Sequence, residues 1–349
     1  MDLQELLKRA VDDNASDLFI IAGAPVSEKV GTGLVALSDR LTAVESEGLV
    51  RSIYEMAGRG MQVVMSTGDD DFSFAISGLA RFHVNVYKQR GSLAAVFRVV
   101  AFNIPDYREL GIPEQVMSLS GLRSGLVIVT GTAGSGKSTT QACIIDGINR
   151  TRSCHVITLE DPIEYLHKDD KSIVSQREIM LDTKSYASAL RACLRQAPDV
   201  IYLGEMRDAE VVRMAMDAAE TGHLVLGTMH TKGTANTIGR IVDMFPPESQ
   251  YQARVQLAEV LNTVVFQELI PMKPKSVAAF EIMKVTSNVK GLIRDGRIHE
   301  LEASLGQGIE PGMVSMDTAI WQLVKTGRVT AEAADSFLGH SDHIKESLL

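Results

Sequence analysis

The sequence predicts an α/β protein in two parts, a small α+β domain followed by a doubly wound α/β domain. Three observations carry that expectation. Residues 1–100 contain strands of alternating polarity separated by tight turns. From about residue 115 onward, short strands apolar on both faces alternate with amphipathic helices, as in a parallel sheet covered by helices. Between them lies AFNIPDYRELGIPE, residues 101–114, with two prolines and no clear period, which reads as a linker. A chain of 349 residues is also long for a single core.

The elements follow in order. Leu3, Leu6, Leu7, Ala10 and Val11 sit at helical spacing at the start of the chain. DLFII and a Gly/Pro-rich stretch come next. Thr42 and Glu45 then form a capping-box pattern that opens a second helix. Three strands alternate cleanly: Phe72, Phe74 and Ile76 in the first, Phe82, Val84 and Val86 in the second, Leu93, Ala95, Phe97 and Val99 in the third. The turns Ser77-Gly78 and Arg90-Gly91 join them as an antiparallel meander. In the second domain, 115–349, the predicted parallel strands are 126–130, 155–159, 200–203 and 223–229. Tyr186, Ala189, Leu190, Cys193 and Leu194 form one helical stripe, and Val211, Val212, Ala215, Met216 and Ala219 form another. From about residue 250 the chain reads as mostly helical, and no internal repeat is found.

Composition excludes several classes. Hydrophobic residues make up 45% and charged residues 23%, which suits a globular chain. A formal net charge of -9 and 5% aromatics disfavour a nucleic-acid translocase, which needs a basic channel and stacking rings. Cys143, Cys154 and Cys193 form no C-x-x-C pair and fit small hydrophobes in a reduced compartment. The N-terminus has no uninterrupted apolar core of a secretory signal. No apolar run approaches the about 18 residues of a membrane helix. The expectation is a cytoplasmic protein that meets membranes only through partners.

The decisive motif is Gly131-Thr132-Ala133-Gly134-Ser135-Gly136-Lys137-Ser138, a full match to the phosphate-binding loop, followed by Thr139. It follows a predicted strand and opens a predicted helix. Glycines let the backbone curl so that its N–H groups converge on phosphate oxygens, and the helix N-terminus favours the same charge. Lys137 would face the outer phosphates, and the Ser138 hydroxyl would face Mg2+. The implied cofactors are ATP and Mg2+.

Two acidic clusters end predicted parallel strands, where α/β sheets place ligands. Glu160-Asp161-Pro162-Ile163-Glu164 supplies Glu164 as the candidate for polarising the attacking water. Gly204-Glu205 after an apolar strand is a Walker-B arrangement, with Glu205 as a second candidate Mg2+ contact. His223 and His230 bracket the fourth strand without zinc-site spacing. A structural role is open to both, and His230 is a candidate sensor of the γ-phosphate. Arg81 and Arg98 lie on one face of adjacent strands. They are either a solvated surface or cations that reach the nucleotide.

Four segments in order, GTAGSGKSTT, ITLEDPIEY, RQAPDVIYLGEMRD and AETGHLVLGTMHT, resemble the Walker A, Asp-box, Walker B and His-box motifs of type II/IV secretion ATPases. ASDLFIIAG and GLARFHVNVYKQRG are similar to the N-terminal domain of the type IV pilus retraction branch. MFPPESQYQARVQLAEVLNTVVFQELIP and GMVSMDTAIWQLVKTGRVT extend the likeness to nearly the whole chain. The resemblance implies a PAS-like N-terminal domain joined to a RecA-like ATPase domain with a helical C-terminal part. It also implies a homo-hexamer at the inner face of the cytoplasmic membrane that powers pilus retraction and twitching motility. Implied partners are an inner-membrane platform protein and related pilus ATPases. By the same resemblance Glu164 is the catalytic glutamate, Glu205 the Walker-B glutamate, His223 and His230 the His-box pair, and Arg81 and Arg98 fall in the arginine-supplying region. His83 stands where several relatives have arginine. The stretch Asn288–Asp295 keeps the apolar and basic pattern of the retraction branch's A-I-R-N-L-I-R-E motif but departs from it at the first and fourth positions. Alternatives are a pilus-assembly or type II secretion ATPase, which usually adds an N-terminal domain and a four-cysteine zinc module, and a nucleotide-binding regulatory subunit without turnover.

Overall fold

The computed structural model describes residues 2–31, 33–100, 104–272, 275–306 and 312–338. The chain divides into two compact units, one of Met1–Asn103 with Pro162–Leu166, the other of Ile104–Asp161 with His167–Leu349.

The first unit runs α1 (Leu3–Asp12), β1 (Asp17–Ile20), β2 (Pro25–Val30), β3 (Gly33–Arg40), α2 (Ala43–Met56), α3 (Gln62–Thr67), β4 (Asp69–Ile76), β5 (Ala80–Gln89) and β6 (Ser92–Val100). Its strands form one six-stranded sheet in the order β3-β2-β1-β6-β5-β4. The expected meander is β4, β5 and β6. The inward residues of its strands, Phe82, Val84 and Phe97, are fully buried with Leu7, Leu18, Val50 and Ile53. Phe82 meets Phe97 edge to face, 6.3 Å between ring centres, a favoured aromatic geometry. Helix α2 begins with the capping box: the Thr42 hydroxyl accepts the Glu45 N–H at 3.3 Å and the Glu45 carboxylate accepts the Thr42 N–H at 2.8 Å. These bonds to Thr42 lower the Glu45 pKa. The β2–β3 hairpin occupies the Gly/Pro-rich stretch in which no strand was expected. Strand β3 is mostly exposed, with Leu34 69% accessible, so it carries no inside–outside alternation to read.

The second unit continues with α4 (Tyr107–Leu110), α5 (Glu114–Met117), β7 (Gly125–Thr130), α6 (Lys137–Thr151), β8 (His155–Glu160), β9 (Ile173–Glu178), α7 (Tyr186–Cys193), β10 (Val200–Leu203), α8 (Ala209–Glu220), β11 (Leu224–Met229), α9 (Thr234–Asp243), α10 (Pro247–Val260), β12 (Leu261–Ile270), β13 (Val277–Lys284), α11 (Ser287–Asp295), α12 (Leu301–Gly306), α13 (Met316–Lys325) and α14 (Ala331–Asp335). Seven strands pair in the order β13-β12-β7-β11-β10-β8-β9. Only β12 with β13 is antiparallel. One face packs on α5 and α6 through Val127, Val129, Ile144 and Ile148, the other on α7 to α10 through Ile128, Ile157, Ile201 and Val225. Burial on both faces explains why these strands read as continuous apolar runs.

All four expected parallel strands are present, within a residue or two of their predicted ends. The region after residue 250 differs from its reading as mostly helical. It first forms α10, then two long strands of 10 and 8 residues, and turns helical from Ser287. Strand β12, LNTVVFQELI, lies between β7 and β13 and is mostly buried, so its polarity does not alternate. The stretch read as a linker carries the short helix α4 and ends where α5 begins, at Glu114, and residues 101–103 lie outside the described residues. Cys143 and Cys193 are buried, and burial pushes their thiols up to about 12 and about 11. Cys154 is half-buried, with its sulfur 3.2 Å from the Ser172 hydroxyl.

Replacing Thr42 by alanine is expected to cost the first unit about 1 kcal/mol, the usual worth of a side-chain N-cap. Urea unfolding of the full chain measures it, and an unmoved midpoint refutes it.

Candidate active site

The site is built where β7 and β11 end side by side. The two strands are parallel, with Thr130 opposite Met229. The chain leaves β7 toward α6 on one face and leaves β11 toward α9 on the other. Open α/β sheets bind their ligands at such a switch point. The loop after β7 is the predicted phosphate-binding loop, and it ends in α6, 15 residues long. Gly131, Gly134 and Gly136 all have positive φ, at 150°, 76° and 87°. At Gly131 a side chain would also overlap the Gln267 carbonyl oxygen, so both backbone conformation and space demand glycine there.

Inside this loop the Lys137 ammonium donates to the carbonyls of Gly131 and Thr132 at 2.9 and 2.8 Å. It also lies 3.3 Å from His230 Nδ1. The Thr130 hydroxyl holds His230 in that place. It donates to the Thr231 carbonyl at 2.6 Å and accepts the Thr231 N–H at 3.1 Å. An ammonium can only donate, so Nδ1 must accept, and the proton of the neutral imidazole then sits on Nε2. Nε2 faces Glu205 Oε1 at 3.5 Å.

Glu205 is fixed from both sides by backbone bonds of its neighbours. Gly204 N–H donates to Leu159 on β8 at 2.8 Å, and Met206 N–H donates to Thr228 on β11 at 2.9 Å. Gly204 fits a crowded place: a Cβ would approach the Tyr186 hydroxyl and the Leu159 carbonyl within about 3.2 Å. Beyond Glu205 stands Arg207, whose Nε donates to Glu205 Oε2 at 2.7 Å and whose Nη1 lies 3.8 Å from Asp161. The hydrogen bond to Glu205 raises the Arg207 pKa. Burial, and then the carboxylate of Asp161, push the Tyr186 phenol upward.

The structure thus brings together Lys137, His230 and Glu205, with Ser138 and Thr139 in the first turn of α6. It does not bring His223 there. That residue precedes β11 at its opposite end, roughly 20 Å away at 3.3 Å per strand residue. Its Nδ1 lies 2.9 Å from the Ala218 carbonyl at the end of α8, so within the chain it finishes a helix. Glu160 is buried and accepts from Thr158 at 2.6 Å and Gln176 at 3.2 Å. Glu164, Arg81 and Arg98 belong to the first unit. There Arg81 and Arg98 share one sheet face, diagonal across β5 and β6, because His83 pairs with Arg98 and Arg81 with Val100. Arg98 is bridged to Asp17 at 3.3 Å. Sequence reasoning missed Arg207. Its signal was a place inside the Walker-B-like segment RQAPDVIYLGEMRD, two residues after the strand-terminal glutamate.

A family model described as type II/IV secretion system protein matches residues 75–307. The type IV pilus retraction ATPase PilT of Pseudomonas aeruginosa is 40% identical over 96% of this chain and 97% of its own. The chain belongs to the type II/IV secretion ATPase family, in its pilus-retraction branch. The PilU pilus ATPase of the same organism is 36% identical over 98% of this chain and 89% of its own. Among solved structures, the pilus retraction motor PilT with bound ADP superposes with a TM-score of 0.90, at 41% identity, over 99% of both chains. The order of Walker A, Asp-box, Walker B and His-box segments therefore belongs to an α/β ATPase fold.

Arg207→Ala frees one oxygen of Glu205. Turnover of ATP is expected to fall roughly 10- to 100-fold, the size of loss that follows a misplaced catalytic group, while ADP affinity holds. Steady-state kinetics with calorimetry decides this, and an unaltered kcat disproves it.

Proposed function

We propose that this chain is the subunit of a homo-hexameric motor that hydrolyses ATP to retract type IV pili. The observation that carries the reading is the file Lys137–His230–Glu205 at the mouth of the phosphate-binding loop. Full-length likeness to pilus retraction ATPases supports its coupling to the pilus.

Nucleotide phosphates would be cradled by the N–H groups of Gly131 to Thr139. Lys137 would exchange its two loop carbonyls for phosphate oxygens, a charge-assisted bond that is the stronger of the two. The Ser138 hydroxyl and the Glu205 carboxylate are oxygen donors of the kind Mg2+ takes. Bound there, the ion would offset negative charge on the outer phosphates. Glu164 would orient the water that attacks the γ-phosphorus, with ADP leaving in line. His230, between the lysine and Glu205, would register whether a γ-phosphate is present. Arg81 and Arg98 would add positive charge to the transition state, as arginine fingers do. Closure and reopening of the units around the ring would supply the mechanical step.

Among the described residues no helix is long and apolar enough to cross a membrane. A place at the inner face of the cytoplasmic membrane would come through a platform protein, with related pilus ATPases as further partners. The net charge of -9 speaks against nucleic acid as the track.

Purified protein should turn over ATP. Glu205→Gln should abolish turnover and keep ATP binding, whereas Lys137→Ala should lose binding itself. Normal turnover by Glu205→Gln would remove the Walker-B assignment. Deleting the gene in its host should leave more surface pili and no twitching. Bald cells would mean that the motor builds the fibre.

A further inference from the structure

Strand β12 supplies a side chain to the phosphate-binding loop that no motif contains. Phe266 pairs with Thr130 in the parallel ladder of β12 and β7, so Gln267 stands beside Gly131. Its side chain shares the strand face of Val265, which packs under α6. Gln267 is 3% exposed. A buried amide is costly unless both its ends are bonded, and here both are. Nε2 donates to the Ser135 carbonyl at 2.7 Å. Oε1 accepts the Thr140 hydroxyl at 2.6 Å. The carbonyl of Ser135 decides which way the amide faces, since only its nitrogen can meet an acceptor.

The two bonds grip the loop on either side of Gly136. Thr140 lies on the first turn of α6 and Ser135 lies in the loop. In a trans peptide the carbonyl and the next N–H point opposite ways. Drawing the Ser135 carbonyl onto β12 therefore turns the Gly136 N–H away from β12. Gly136 must be glycine on two counts, a φ of 87° and the Gln267 amide 2.8 Å from where its Cβ would lie. An apolar side chain of the same length would fill the space but take from the Ser135 carbonyl the donor that orients it.

The geometry points to Gln267 as a positioning residue for phosphate recognition, which sets the Gly136 N–H toward the β-phosphate through the Ser135 carbonyl. This rests on the loop being the nucleotide site. Gln267 touches no reacting atom; it acts through the backbone. The residue that holds the loop thus comes from β12, 132 positions further along the chain.

The test uses the full chain and ADP, with Lys137→Ala as the control for the site. Gln267→Met keeps the volume and loses both hydrogen bonds. Its ADP affinity is expected to fall about tenfold, the worth of one or two such bonds, with far-UV circular dichroism close to the parent and the nucleotide-free melting temperature lowered by the buried groups left unpaired. Thr140→Val removes only the bond to Oε1 and is expected to weaken ADP about threefold. Added to Gln267→Met it should cost nothing more, because the two act as one unit. A purely structural role would lower the nucleotide-free melting temperature and leave the affinity of the folded protein alone. ADP affinity within twofold of the parent in Gln267→Met, with binding lost in Lys137→Ala, would overturn the assignment. If Gln267→Met does not fold, Thr140→Val decides, and unaltered affinity there overturns it equally. Binding retained by Lys137→Ala would instead remove the site reading itself.

Discussion

The parallel pairing of β7 with β11 is the constraint on which the rest of the site depends. Its register sets Thr130 opposite Met229, so the loops after the two strands leave the sheet together. The Thr130 hydroxyl then bonds Thr231 in both directions and closes the gap between them. Lys137 and His230 are 93 positions apart in the chain and 3.3 Å apart in space for this reason. A slip of one residue would turn the Thr130 side chain to the other face of the sheet. The tie would be gone, and Glu205 would have no histidine between it and the lysine.

Lys137, His230, Glu205, Arg207 and Asp161 make a row in which cations and anions alternate about the imidazole. Hydrogen bonds also run from the segment after His230 to α13. The loop that carries His230 runs into α9, where Glu281 on β13 accepts the Thr234 N–H and hydroxyl, both at 2.8 Å. Its other oxygen accepts the Met316 N–H at the start of α13, at 3.3 Å. One carboxylate thus satisfies donors at two helix N-termini, positions where negative charge is favoured. It connects the segment after His230 to the C-terminal helices.

Much of this was legible from local pattern. The meander of β4 to β6 was readable because one face is buried and the other is not. The four central parallel strands were readable because both faces are covered. The capping box of α2 was readable because Thr42 and Glu45 are three positions apart and need nothing else. The hairpin of β2 and β3 was not legible, because a strand exposed at a sheet edge carries no alternation. Strand β12 was not legible either, because a mostly buried ten-residue run reads as well as part of a helix. Arg207 and Gln267 lie inside segments that carried the family likeness, yet their roles were not legible there, since each acts through a partner that the fold brings to it. The sequence already set His230 apart as the candidate phosphate sensor, and His223 was paired with it only by resemblance; the structure puts His223 at the opposite end of β11, against the Ala218 carbonyl.

By itself the sequence determined the two-part α/β class, the curled loop of Gly131 to Ser138 and the carboxylates that end β8 and β10. Each of these rests on contacts between near neighbours, glycine torsions or the period of burial along one element. Only the tertiary structure decided how His230 is held against Lys137, which cation holds Glu205 and which strand supports the loop from beneath. Those choices come from strand order and register, and the pairings that set them join residues scores of positions apart.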